Sequence, residues 1–178
     1  MARIIAIIVA AIFVGIAGVL AFAATKSDTF RVQRAASIKA PPERIFPLLN
    51  DLRSFAAWSP YEKKDPAMQR TYSGAPSGKG AVYEWNGDKN VGSGRLAIAD
   101  SSPPSKVTLR LDMMRPLEAH NLVVFTLEPK GESTTVTWAM NGQVPYLAKI
   151  VHVFINVDKM VGQDFEAGLA NLKAIVEK

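Results

Sequence analysis

The stretch VFINVDKMVGQDF, Val153 to Phe165, reads as part of the longest helix the chain can make, and it carries an acid among apolar residues. With Phe154 as zero and about 100° per residue, Leu147, Val151, Val161, Phe165, Leu169, Leu172 and Val176 fall in one narrow arc. Asp158 falls near the middle of that arc. The residues three and four positions away are Phe154, Ile155, Val161 and Gly162, so its own helix offers no ion-pair partner. A carboxylate in a dry core costs several kcal/mol unless it is paired or hydrogen-bonded. Three placements follow. Asp158 pairs with a buried arginine such as Arg95 or Arg110, or it faces a water-containing cavity between helix and sheet, or the helix bends near Gly162 and turns it outward. In the second placement burial would raise its pKa and make it a candidate acid or base.

The rest of the chain sets the frame for that helix. Its 178 residues, 48% hydrophobic and 21% charged, suit one globular domain with an appended segment. Cysteine is absent, which excludes disulfides, thiolate metal sites and a cysteine nucleophile. The net charge is +5, of which Arg3 supplies one, leaving +4 on the remainder. That excess is spread along the chain with no basic cluster and no interleaved aromatics, so a nucleic-acid partner is not expected.

Ile4 to Ala24 carries no charge and has the ~20 residues a membrane-spanning helix needs. It reads as a signal peptide cleaved after Ala21-Phe22-Ala23 or as an uncleaved anchor, and its length favours the anchor, since a signal core is usually ~7–15 residues. Arg3 flanks one end and Lys26, Arg31, Arg34 and Lys39 the other, which by the positive-inside rule would keep the domain cytoplasmic. The three-residue head and the cleavage-like Ala21–Ala23 favour export, and whole domains translocate largely regardless of charge. The expected organisation is an anchor or signal over 1–25, a linker over 26–29 and a domain over 30–178, on the periplasmic or extracellular side of the membrane.

Within the domain, Phe30–Ile38 alternates as a half-buried strand. Pro42 suits a first helical turn, Ile45, Phe46, Leu48 and Leu49 supply an apolar side, and Pro47 should interrupt the helix, with a second short helix from Asp51. From Met68 to Met140 the segments MQRTY, AVYEW, GSGRLAIA, KVTLRLDM, NLVVFTLE and TTVTWAM read as six strands of an antiparallel meander. Asn86-Gly87 signals a tight hairpin. Alternation places Val107, Leu109, Leu111 and Met113 on one face, and Val136, Trp138 and Met140 on one face of the last strand. Pro145 then opens the terminal helix, which runs to Glu177. An α+β fold follows, a curved sheet wrapped around a long helix.

Chemistry-bearing motifs are few. Gly74–Gly80, GAPSGKG, has one residue too few for a phosphate loop and leads into a strand, so it reads as a hairpin loop. His152 falls about 160° from the centre of the apolar arc, on the solvent side, and His120 lies near a loop; neither has a partner at metal-ligand spacing. No metal and no cofactor is expected. Trp58, Tyr61, Tyr83, Trp85, Met113, Phe125, Trp138 and Met140 are each ordinary core residues taken singly, yet together they form the amphipathic set that lines a site for a hydrophobic ligand.

Five segments carry a resemblance: IKAPPERIFPLLNDLRSFAAWSPYEKKDP, YSGAPSGKGAVYEWNG, VGSGRLAI, TTVTWAMNG and DKMVGQDFEAGLANLK. Over Phe30 to Lys178 the chain resembles the polyketide cyclase-like, START-related (SRPBCC) superfamily, which shares the helix-grip fold of the major birch pollen allergen. The resemblance implies a seven-stranded antiparallel sheet gripping the C-terminal helix, with a hydrophobic cavity between them that opens near the two short helices. It also implies a ligand that is a lipid, sterol or other hydrophobic small molecule, and it transfers no catalytic motif. The expected function is a membrane-tethered binding module whose pocket is lined by Trp58, Tyr61, Tyr83, Trp85, Met113, Phe125, Trp138, Met140 and Asp158. Two alternatives stand beside it: a cyclase or hydrolase using Asp158 as acid or base, and an interaction protein whose core is filled.

Overall fold

Alternating side chains, broken by glycine and proline, generate the sheet. The computed structural model describes residues 1–178. After an apolar helix α1 (Ala2–Ala24) come strand β1 (Thr29–Ile38), helix α2 (Pro42–Asn50), a 3₁₀ turn (Leu52–Ser54), and the short helices α3 (Phe55–Trp58) and α4 (Tyr61–Lys64). Strands β2 (Gln69–Gly74), β3 (Ala81–Asn86), β4 (Ser93–Ser102), β5 (Lys106–Arg115), β6 (Ala119–Lys130) and β7 (Ser133–Gln143) follow, then helices α5 (Tyr146–Phe154) and α6 (Val157–Val176). The strands form one seven-stranded antiparallel sheet in the order β1-β7-β6-β5-β4-β3-β2, and α6 lies across its concave face, as a helix-grip fold requires.

α2 departs from expectation at Pro47, because the helix continues through it to Asn50. Proline removes one backbone donor, so the carbonyl of Glu43 loses its partner. Glu43 and Pro47 are both exposed, where water serves that carbonyl, while Ile45, Phe46 and Leu49 on the opposite side are buried. The second helix expected from Asp51 is split. Asp51 caps the 3₁₀ turn by accepting from the Arg53 amide at 2.9 Å, and α3 and α4 follow as separate turns. Asn86-Gly87 does not make a two-residue hairpin either. The chain loops over Gly87–Gly92, closed by the Gly87 amide donating to the Gly92 carbonyl at 2.8 Å.

The expected single terminal helix is two helices, and the break between them sets the place of Asp158. Val151, Val153, Ile155 and Val157 are β-branched and lose side-chain freedom in a helix. At Ile155 the backbone is extended, and Asn156 starts a new helix by accepting from the Lys159 amide at 2.9 Å. Asp158 therefore stands in the first turn of α6, where a negative charge suits the helix dipole. Its side chain is 59% exposed, and it pairs with Arg34 at 3.0 Å. Neither Arg95 nor Arg110 is the partner, since Arg95 lies 3.7 Å from Glu84 and Arg110 points to the convex face.

Arg34 is the clamp that seats α6. It donates to both carboxylate oxygens of Asp158 and to Glu166 at 2.7 Å, and its guanidinium lies over Gly162, where a Cβ would overlap it. Beyond this point Phe165, Leu169, Leu172 and Val176 are buried against the sheet, as the apolar arc requires. The α5 part of that arc is out of phase. Leu147, Val151 and Phe154 are exposed, and His152, expected on the solvent side, packs edge-on against Phe30 at 6.5 Å between ring centres.

Candidate functional site

The strand register sorts the concave face into rows. One row crosses all seven strands: Phe30, Gly142, Asn121, Leu111, Leu96, Tyr83 and Tyr72. The next row into the fold, Val32, Met140, Val123, Leu109 and Ile98, is buried throughout, and so is the Trp138–Phe125–Val107 row beyond it. In the outer direction stand Met113, Gly94, Trp85 and Arg70. Burial therefore falls along the strands toward one end. Phe30, Leu96, Leu111, Met113 and Trp85 are only half-buried, because α6 begins at Val157 and does not cover them. This open end also carries the start of β1, the end of β7, and the β3–β4 and β5–β6 loops.

The deep end is filled by aromatic side chains. Trp138 stacks on Phe165 with ring centres 4.0 Å apart, and meets Phe125 at 5.1 Å and Trp58 at 5.4 Å; Phe55 completes the cluster against Trp58 at 4.7 Å. Gly168 lets α6 approach, since a Cβ there would come within 2.7 Å of the Trp138 ring. Trp58 donates its indole N–H to the Leu48 carbonyl at 3.0 Å. The Trp138 indole N–H is buried with no acceptor. Of the sequence candidates, Trp58, Phe125, Trp138 and Met140 thus belong to this packed floor.

Tyr83, Trp85 and Met113 stand nearer the open end beside a polar group that sequence reasoning missed. Glu62, on α4, has a side chain only 7% exposed; it accepts from the Tyr83 hydroxyl at 2.6 Å and from Arg70 at 2.7 Å. Both its oxygens are occupied, so it holds its neighbours in place rather than offering a free base. Burial, followed by the adjacent Glu62 carboxylate, pushes the Tyr83 hydroxyl well above the ordinary tyrosine range. Tyr72 stacks on Tyr83 at 5.0 Å and carries the Arg53 guanidinium on its ring at 4.5 Å. Tyr61 is also raised, by burial first and then by Asp164, and Asp164 in turn pairs with Lys64 at 2.7 Å. Trp85 fits because Gly94 opposite it has no side chain.

Asn121 is the second feature absent from the sequence candidates. It sits on the concave side of β6, 8% exposed, and its side-chain oxygen has no hydrogen-bond donor. Buried polar atoms are satisfied in the great majority of cases, so each exception calls for a cause. Here the orphan acceptor lies in the half-covered row, over Gly142 and beside Leu111.

Asp158 is not among these residues. It lies on the exposed side of α6 with Arg34, whose hydrogen bonds hold its carboxyl below the usual carboxylate range, so it is ionised and already engaged. No cluster of three or more histidine, aspartate or glutamate side chains could hold a metal ion. A cleft of about 200 Å³ lies at the β2 edge between Leu52, Arg53, Tyr72 and Ala81. A shallow, open depression of about 400 Å³ lies on the convex face at the same end of the sheet, over Arg110, Leu122, Asn141 and Gln143. Neither is lined by α6.

Comparison with known proteins agrees with this architecture. Residues 29–177 match the family model described as polyketide cyclase / dehydrase and lipid transport. Among curated proteins, none matches in sequence. A protein from Chromobacterium violaceum is similar in structure, with a TM-score of 0.59 and 17% identity over 85% of this chain and 98% of its own. Ginseng major latex-like protein 151, from Panax ginseng, aligns with a TM-score of 0.58 and 14% identity, covering 85% of this chain and 100% of its own. The Aha1 dimer from Colwellia psychrerythraea gives 0.56 and 17%, over 83% and 96%. These likenesses are likenesses of fold.

Proposed function

Since the chain belongs to the polyketide cyclase/dehydrase and lipid transport family of ligand-binding helix-grip domains, we propose that it is a membrane-tethered module for a hydrophobic or amphipathic small molecule or lipid. The ligand's apolar part rests on Phe30, Leu96, Leu111, Met113 and Trp85 at the open end of the concave face. The single observation that carries this reading is the orphan Asn121 oxygen in that half-covered row. An acceptor withdrawn from water without a donor loses about 1–3 kcal/mol, which a ligand hydroxyl or amide would restore. The filled aromatic floor confines the ligand to the open end rather than to a deep cavity.

Tethering rests on α1, which is long and apolar enough to cross a membrane and is exposed over nearly its whole length. On this reading residues 1–25 are a retained single-pass anchor, 26–29 a linker and 30–178 the binding domain, on the periplasmic or extracellular side. The tether keeps the open end beside a source of lipid. Of the residues named from sequence, Trp85 and Met113 border the ligand directly, whereas Tyr83, buried in its bond to Glu62, and Trp58, Phe125, Trp138 and Met140 support the surface it rests on. Tyr61 shapes the α4 side. Asp158 has no part in the site.

Native mass spectrometry of the full chain, extracted from membranes in polymer-bounded lipid discs without detergent, tests the reading. A small molecule retained at one copy per chain after the surrounding lipid is stripped away supports it. A bare chain mass, together with no change on titrating lipid extract, would reject it.

A further inference from the structure

Helix α5 is amphipathic in the reverse sense. Leu147, Val151 and Phe154 recur on one face, and Leu147 and Phe154 are 76% and 73% exposed. The polar residues of the same helix point into the protein. Lys149 is buried against Asp28, and His152 packs on Phe30. A helix bordering water presents its apolar stripe to the core, so this one is built for surroundings that are not water.

Its neighbours identify those surroundings. α5 packs against the last turns of α1, and the Tyr146 hydroxyl donates to the Leu20 carbonyl at 2.9 Å. Leu20 lies about one turn, roughly 6 Å, before the end of α1. Helices that lie in the plane of a membrane interface bury their apolar face by about 5–10 Å, so Tyr146 stands at that depth, where tyrosine is favoured. Further exposed apolar residues stand at the same open end: Ile155 and Met160 at the start of α6, and Met114 and Leu117 beside the β5–β6 turn. Asp28 and Asp158 are already paired with Lys149 and Arg34, so the charges left at this end are Lys26, Arg115 and Lys159 against Glu118, a small excess beside an apolar face of this size.

We infer that α5 is an interfacial helix seated in the same bilayer that α1 crosses, with Leu147, Val151 and Phe154 toward the acyl chains, so that the open end of the sheet is pressed onto the lipid surface. This rests on the proposed membrane-spanning role of α1. The occupant of the face is lipid, and insertion is apolar rather than electrostatic.

The absence of cysteine makes site-directed spin labelling direct. Leu147→Cys, Val151→Cys and Phe154→Cys are exposed positions that a label should not unfold, Glu132→Cys marks the opposite end of the sheet, and Phe13→Cys marks the middle of α1. Each full-length variant is reconstituted in phosphatidylcholine vesicles, and the label's collision rates with oxygen and with a water-soluble nickel chelate are compared. Oxygen should dominate at the three α5 positions, at shallower depth than at position 13, and unchanged when anionic lipid is added. Position 132 should favour the chelate. If position 13 is deep while the α5 positions match position 132, the inference falls and the anchor stands. If position 13 is itself in water, both fall. Low collision rates with both reagents at the α5 positions would mean a protein contact, such as a second copy, and would also overturn it.

Discussion

Replacing Asn121 with leucine should stabilise the domain and abolish its ligand binding. The two side chains have the same number of heavy atoms branched at the same place, although leucine is the bulkier. The substitution removes a buried carbonyl oxygen that has no donor, and relief of that desolvation is worth about 1–3 kcal/mol. The oxygen lies so close over Gly142 that only a glycine is tolerated beneath it, and the bulkier methyl group there returns about 1 kcal/mol, the low end of the overpacking range. The net expectation is a gain of up to about 2 kcal/mol, or up to about 8 °C in Tm at roughly 2–4 °C per kcal/mol for a chain of this size. Thermal unfolding of the full chain in lipid discs, followed by circular dichroism, measures the first effect; the fraction carrying a small molecule by native mass spectrometry measures the second. A destabilised variant would show that the Asn121 oxygen is satisfied in solution. A stabilised variant that keeps its ligand would show that the atom has no part in binding.

Other residues make separate predictions. Gly168→Ala should lose up to about 2 kcal/mol, because the new methyl meets the rigid, stacked Trp138 ring at a cost of about 1–3 kcal/mol that a helix-propensity gain of about 1 kcal/mol only partly offsets; higher stability in urea titration would contradict the close approach. Arg70→Met should lose about 3–5 kcal/mol by leaving buried Glu62 without its cation, and adding Glu62→Gln should recover much of the loss; the absence of recovery in chemical denaturation would refute the pairing. His120 is raised above 6.5 by its hydrogen bond to Asp112, so the stability it contributes is fully present below pH 6.5 and fades as pH rises through the raised value. NMR titration should find that value lowered in Asp112→Asn; an unchanged midpoint would show that Asp112 is not the cause.

The sheet was readable because its strands alternate and its turns are marked by glycine and proline. Val107, Leu109, Leu111 and Met113 share the concave face as their alternation requires, with Leu111 and Met113 only half-covered. The terminal helix was misread at one point. The apolar arc ran through Val151 and Phe154 as if Ile155 were helical, although the β-branched run and the capping asparagine at 156 were the local signals of a break. Once that break is allowed, the phase of α5 is free of α6, and Asp158 becomes a first-turn acid rather than a buried one.

Arg34 could not be identified as its partner because 124 residues separate the two, and no helical or strand period spans that distance. Glu62 is similar, an ordinary charge in Tyr61-Glu62-Lys63-Lys64 until α4 folds onto Tyr83 and Arg70. Asn121 breaks the apolar alternation of β6, but only the register shows that its oxygen is buried without a donor. Only composition marks the aromatic candidates, and composition does not separate Trp138 in the packed floor from Trp85 at the open end.

Cross-linking with a bifunctional lipid bearing a diazirine on its acyl chain tests the binding surface most directly. The full chain is reconstituted with the lipid, irradiated and mapped by peptide mass spectrometry. Adducts on the inner-face residues Phe30, Leu96, Leu111, Met113 and Trp85, lost in Asn121→Leu, are the predicted result. Adducts confined to α1 and α5, with none on the concave face, would contradict a ligand held at the open end of the sheet.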